Sequence, residues 1–219
     1  MWGGLGVGEW IIILLSGVLL IGYGWGYIRN RARAAELSAW LSEGLAPWGQ
    51  VQPGSPLSGL ASGGRLQVDP ARSPFRRIHV TYVLAPRENW IFWILHRLWG
   101  KGDEIFVQAD VRTAPKWEVS LHPADKGVPA PHIPHVGKVL QLRFREGQHL
   151  LYGRSEGGPL PEEQLRELVR VLTPYLREFV IRRSSPHILL RLDVSSSFAL
   201  PARALWDMLA GLFRPREEG

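Results

Sequence analysis

The residues most able to bind a metal ion stand in one proline-rich segment, where His122, His132 and His135 accompany Asp125. Neutral imidazoles and a carboxylate are zinc ligands in many proteins. Prolines at positions 131 and 134 exclude the helix that would align the last two histidines. We therefore expect no metal or cofactor, and His122, His132 and His135 remain only a weak alternative: the site of a membrane-anchored enzyme acting on a lipid or its headgroup.

Other reaction chemistry is poorly represented. The chain has no cysteine, which excludes disulfides, thiolate zinc sites, iron–sulfur clusters and a cysteine nucleophile. Gly137 and Lys138 are followed by Val139, without the hydroxyl residue of a phosphate-binding loop, and no Gly-x-Ser-x-Gly motif is present. The sequence favours a binding protein over an enzyme.

Arginine supplies most of the positive charge, since few of the 26 basic residues are lysines. With 20 acidic residues, the formal charge is +6. Arginine is the better bidentate ligand of phosphate and the better ion-pair partner. A patch facing phospholipid or nucleic acid could include Arg72, Arg76, Arg77, Arg143, Arg145, Arg182 and Arg183. Without an aromatic and basic strand motif we expect no nucleic acid partner, and anionic lipid is the better candidate.

An uncharged stretch, Trp10–Ile28, lies near the N-terminus. As a helix it is about 28 Å long, close to the roughly 30 Å of a bilayer core. Aromatic residues stand at both of its ends, as at membrane interfaces. A cleavable signal would need basic residues before the apolar run, but the only charged side chain there is Glu9. We predict a retained transmembrane helix.

Charge asymmetry predicts the orientation of that helix. Arg29, Arg31 and Arg33 follow the apolar stretch, and such residues favour the cytoplasmic side, where they can touch lipid headgroups. The N-terminus is then outside and the C-terminal domain cytoplasmic. Gly22 and Gly26 are four residues apart, a spacing that permits close helix packing in lipid against an identical or a foreign helix.

The rest of the chain divides by composition. We expect an anchor over residues 1–29, a juxtamembrane helix with a Gly-, Pro- and Ser-rich linker over 30–64, and a cytoplasmic domain over 65–219. Residues alternate between apolar and polar near 77–84, 105–111, 117–121, 140–145 and 188–194, which predicts strands, with a hairpin partner near 150–152. Helical periodicity covers 162–180, split or kinked at Pro174, and a last helix follows Pro201.

The resulting fold class is α+β: a mixed β-sheet with packed helices, preceded by one transmembrane helix. Helix-linked strands are expected to pair in parallel, and the strands near 105–111 and 117–121 to be antiparallel because only a short turn joins them.

One short segment, Trp90–Lys101, is unusually rich in tryptophan. Its apolar residues cover most of a helical wheel, yet it is too short to cross a bilayer. Such a helix suits the lipid–water boundary or a membrane-protein partner, and burial between the sheet and another element is the alternative. The docking residues predicted here are Trp90, Trp93, Arg97, Trp99 and Lys101.

Together these features predict a single-pass cell-membrane protein with a cytoplasmic binding domain, an accessory, assembly or scaffold subunit of a membrane complex. Its expected partners are membrane lipid and either an integral membrane protein complex or a second copy joined through the transmembrane helix. A ligand sensor on a dimerising anchor is a further alternative, and it predicts a closed apolar cavity.

Overall fold

The structure is a computed structural model, and it describes residues 6–54, 63–123, 140–146, 149–157, 161–194 and 200–213. From residue 122 to 157 only the backbone is described. Within these ranges the helices are α1 (Val7–Leu45), α2 (Trp90–Leu98), α3 (Glu162–Leu172) and α4 (Ala202–Gly211), with a 3₁₀ turn at Ala46–Trp48. The strands are β1 (Val51–Pro53), β2 (Gly63–Val68), β3 (Phe75–Val83), β4 (Glu104–Val111), β5 (Trp117–Pro123), β6 (Leu140–Glu146), β7 (His149–Gly157), β8 (Leu176–Ile181) and β9 (Ile188–Asp193).

All nine described strands form one sheet in the order β1-β2-β3-β4-β9-β8-β5-β7-β6. In β9, for example, alternate residues are buried, and Ile188, Leu190 and Leu192 point to the core. The core lies between this face of the sheet and the helices α1, α3 and α4. The predicted α+β class, with an N-terminal helix long and apolar enough to cross a membrane, is confirmed.

The mixed pairing predicted for the sheet is wrong for the described strands, because every hydrogen-bonded pair is antiparallel. Two different connections explain this. Strands β7 and β8, joined through α3, run in the same direction, but β5 lies between them and pairs with both. Strands β3 and β4 pair directly, so α2 belongs to a long hairpin connection at one end of the sheet and does not cross over it.

The helix predicted over 162–180 ends earlier. Helix α3 stops at Leu172, just before Pro174, and the apolar residues beyond it form the central strand β8. Proline ends a helix because it lacks the N–H and crowds the preceding turn. The sheet also contains β1 and β2, two strands that the linker and domain boundaries did not anticipate.

Helix α1 is continuous across the boundary drawn between anchor and juxtamembrane helix. Its first part is exposed: only 6% of its most apolar window is buried within the protein. Its second part belongs to the core, where Leu37, Leu41 and Leu45 are buried beside α4 and β2. The apolar stretch and the part of α1 that packs into the core therefore belong to one continuous helix.

Candidate functional site

Local sequence signals define α2 at both ends. The side chain of Asn89 accepts a hydrogen bond from the backbone N–H of Phe92, which is a standard helix N-cap. Gly100 has φ +64, and the N–H groups of Gly100 and Lys101 donate to the carbonyls of Arg97 and His96. This is a Schellman motif, in which glycine tolerates the left-handed conformation that closes the helix.

No residue of α2 is buried. Its apolar side chains remain accessible along the whole helix, up to 76% for Leu98 and 64% for the following Trp99. The alternative that this helix packs inside the domain is therefore wrong. Because a soluble surface rarely carries so many contiguous apolar residues, this exposed helix is the strongest candidate for a docking surface.

The connection that contains α2 packs along α1 toward its N-terminal part. A Cβ atom built on Gly26 would lie 1.9 Å from the carbonyl oxygen of Arg87, and one on Gly22 would lie 3.0 Å from Cδ1 of Trp90. The two glycines thus provide the space for the segment that precedes and begins α2. At these two positions the predicted helix-packing face therefore lies against residues of the same chain, Arg87 and Trp90.

A buried polar cluster, the Asp103 cluster (Asn30, Arg33, Arg87 and Asp103), fixes this arrangement. Arg87 donates from Nη1 and Nη2 to the two carboxylate oxygens of Asp103, at 2.9 and 2.8 Å, and from Nη1 to Oδ1 of Asn30 at 2.8 Å. Nε of Arg33 lies 3.5 Å from the same carboxylate, which is only 1% exposed.

Main-chain groups complete the cluster. Asn30 donates to the carbonyl of Ala85 at 3.0 Å, and the N–H of Ala85 donates to Asp103 at 2.9 Å. Arg33 also donates to the carbonyl of Val194. A buried carboxylate is tolerated when its oxygens are paired and hydrogen-bonded in this way. The cluster ties α1 to the segments on both sides of the α2 connection.

The predicted headgroup arginines therefore differ in role. Arg33 is held within the Asp103 cluster and pairs with Glu36. Arg29 and Arg31 are exposed, and the guanidinium of Arg29 lies over the ring of Trp25 at 5.1 Å. The same i, i+4 arrangement places Arg97 over Trp93 at 5.8 Å in α2. Among the described residues no carboxylate forms an ion pair with Arg29, Arg31, Arg97 or Lys101.

The histidines of the proline-rich segment cannot be compared with their predicted role, since His132, His135 and the side chain of His122 lie outside the described residues. In the described part of the chain no group of three or more His, Cys, Asp or Glu residues is arranged to hold a metal ion. An open groove of about 480 Å³ lies between α3 and α4.

A second buried carboxylate lies at the opposite end of β4. Asp110 is 5% exposed and pairs with Arg77, and its Oδ1 lies 3.2 Å from Nδ1 of His187. Burial raises the pKa of Asp110, but hydrogen bonds from Ser185 and Arg77, together with the charges of Arg77 and His187, outweigh it and hold the pKa below its ordinary value.

Sequence reasoning missed Asn30, Arg87 and Asp103. A signal was present: Gly22, Gly26 and Asn30 continue, at helical spacing, the stripe that buries Leu37 and Leu41. Comparison of the sequence with protein families and with curated proteins found no match. The fold and the exposed surface of α2 define the class of protein. It is an α+β protein in which a helix long and apolar enough to span a membrane packs against the start of a second, exposed apolar helix.

Proposed function

We propose that the protein is a single-pass membrane protein whose domain lies against the cytoplasmic face of the bilayer, with α2 inserted at the lipid–water boundary. In this position it acts as a binding protein, an accessory, assembly or scaffold subunit of a membrane complex. The observation that carries the proposal is the contact between Trp90 and Gly22.

The depth of that contact is the first step. Gly22 lies six residues before Ile28, where the uncharged stretch of α1 ends. At 1.5 Å per residue, Trp90 is about 9 Å within the apolar part of α1. Interfacial helices bury their apolar faces about 5–10 Å into the boundary between headgroups and acyl chains. If α1 spans a bilayer, α2 therefore begins at the depth such helices occupy.

The attachment of α2 to the rest of the chain is the second step. The Asp103 cluster connects the two ends of the α2 connection to α1, and Arg177 donates to the carbonyl of Gly100 just after α2. The helix is thus held in place by contacts with its own chain. Arg29, Arg31, Arg97 and Lys101 lie around this surface without described ion-pair partners, which supports contact with anionic headgroups.

The test uses the absence of cysteine from the chain. Single cysteines replace Phe92, Leu98 or Gln108 in the full-length protein in vesicles, and each carries a nitroxide. Phe92 and Leu98 are exposed on α2, and Gln108 is exposed on β4. We expect oxygen to relax the two α2 labels more than a water-soluble nickel complex does, with the reverse order at Gln108. Three labels with the same water-like ratio would contradict the proposal.

The same design separates lipid from protein neighbours and reports orientation. A photo-crosslinker on the cysteine at position 98 yields lipid adducts if α2 faces lipid, and a discrete protein adduct if a subunit covers it. In intact cells an impermeant maleimide should label a cysteine replacing Gly6 and spare one replacing Gln108. Labelling of Gln108→Cys alone would reverse the proposed orientation.

A further inference from the structure

The end of the sheet opposite α2 collects positive charge. Strands β3, β4, β9, β8 and β5 are neighbours, and the start of β3, the end of β4, the end of β8 and the start of β5 all lie at this end. Residues 69–77, 110–118 and 181–187 carry seven arginines and lysines against three carboxylates. This excess of four positive charges is most of the chain's formal +6.

Six of these cations form what we name the distal basic row. None of them forms an ion pair with a carboxylate in the part of the chain that the structure describes. The row consists of Arg72, Arg76, Arg112, Lys116, Arg182 and Arg183. Over five adjacent strands spaced about 4.8 Å apart, the strand ends that carry it extend for about 19 Å.

Several of these guanidinium groups are held in position by main-chain oxygens. Arg112 donates to the carbonyl of Ala71 at 2.8 Å, Arg182 to that of Pro186 at 2.9 Å, and Arg183 to that of Lys116 at 3.2 Å. A carbonyl oxygen orients a guanidinium group without neutralising it. The remaining N–H groups are available for a bidentate contact with an anion, at a reduced entropic cost.

We propose that the distal basic row binds an acidic segment of a protein partner in extended conformation. An extended chain presents side chains on one face about every 6.7 Å, so that three or four carboxylates face a row of about 19 Å. This number matches the excess of four positive charges. A nucleic acid duplex would carry about eleven phosphates over the same length, counted over both strands.

Two other anionic partners fit less well. The aromatic rings in these ranges, Phe75 and Trp117, are buried, so no stacking surface for unpaired bases accompanies the arginines. The bilayer that holds α1 is distant if the proposed function is right, since β4 separates the row from α2 by about 24 Å, more than twice the Debye length at physiological salt.

The test measures binding of a fluorescent deca-glutamate peptide to the full-length protein in nanodiscs of phosphatidylcholine, at low and at high salt. Decathymidine and a short RNA duplex are the competing probes. We expect the peptide to bind in a salt-dependent manner and Arg112→Glu with Arg183→Glu to weaken it by about tenfold or more. Arg166→Glu with Arg203→Glu, two exposed positions on α3 and α4, changes the net charge equally and should weaken it by less than about threefold.

A milder variant protects the test against misfolding. Arg76 is exposed and its side chain makes no described hydrogen bond, so Arg76→Glu should weaken binding by about threefold in a folded protein. The inference is overturned by no peptide binding, by equal losses in the row and control variants, or by tighter binding of either nucleic acid. Neutral nanodiscs keep this result independent of whether α2 enters lipid.

Discussion

Strand β4 has a buried aspartate at each end, and the two carboxylates are used differently. Asp103, just before the strand, accepts hydrogen bonds from both terminal nitrogens of Arg87 and from the N–H of Ala85, and lies 3.5 Å from Nε of Arg33. Asp110, near its end, pairs with a half-exposed Arg77, and its Oδ1 is buried without a hydrogen bond to any described residue. Both carboxylate oxygens of Asp103 accept hydrogen bonds, whereas one oxygen of Asp110 accepts none from the described residues.

This difference shows that the number of arginines does not decide their role. At the α2 end two guanidinium groups surround one carboxylate and hold a membrane-type helix against a sheet. At the opposite end arginines outnumber carboxylates and are held by carbonyl oxygens, so that most of their charge is not paired with a carboxylate among the described residues. The first arrangement contributes to stability, and the second leaves charge available for a partner.

The largest expected effect is that of Asp103→Ala. Removing this carboxylate leaves Arg33 and Arg87 charged and largely buried, which we expect to lower the free energy of unfolding by about 3–5 kcal/mol. Denaturant unfolding of the full-length protein in detergent micelles measures it. The control is Asp207→Ala, which removes an exposed pair with Arg203 and should cost less than about 0.5 kcal/mol. Equal costs for the two variants would show that the cluster does not hold α1 in place.

A smaller effect is expected from Gly26→Leu. The new side chain meets the carbonyl of Arg87 and must displace the start of the α2 connection, at a cost of about 1–3 kcal/mol. Trypsin should then cleave sooner after Arg87, and the unfolding midpoint should fall. Gly24→Leu is the matched control, because a Cβ at Gly24 meets no atom within 4 Å. Unchanged cleavage in Gly26→Leu would mean that the close approach does not order the connection.

The sequence predicted those elements of the fold whose hydrophobic pattern is decided by neighbouring residues in the chain. Strands with clear alternation, such as β4, appear within a residue or two of their predicted limits. Strand β8 was read as helix because Leu176, Phe179 and Val180 also fit a helical period, and only the neighbouring strands β5 and β9 decide between the two. Strand order, and with it antiparallel pairing, depends on partners distant in sequence.

The candidate site was predicted only in part, again because some of its features are local and others join residues distant in sequence. Helix α2, its aromatic residues and the two glycines of α1 could be identified, since their composition and spacing are local. The Asp103 cluster joins residues 30, 87 and 103, which no sequence spacing relates. Nor could the sequence show that Arg112 and Lys116 join Arg72, Arg76, Arg182 and Arg183 at one end of the sheet, whereas the side chains of Arg143 and Arg145 lie outside the described residues.

The smallest effect, and the one that depends on pH, is expected from Asp110→Asn. The pKa of Asp110 is lower in the folded protein, so its ionised form stabilises the fold. That contribution is complete above the ordinary aspartate pKa of about 3.9 and is lost as the pH falls through the lower folded value. The ionisable groups facing it are Arg77 on β3 and His187 just before β9, with the hydroxyl of Ser185 nearby.

We expect Asp110→Asn to cost about 1 kcal/mol near neutral pH, because Arg77 is half-exposed. The variant should also lose less stability than the unmodified protein as the pH falls below about 4. Unfolding midpoints across that pH range measure both effects, with the exposed Asp69→Asn as the control. An equally steep loss in Asp110→Asn would assign the acid sensitivity to other carboxylates and remove the distinction between the two ends of β4.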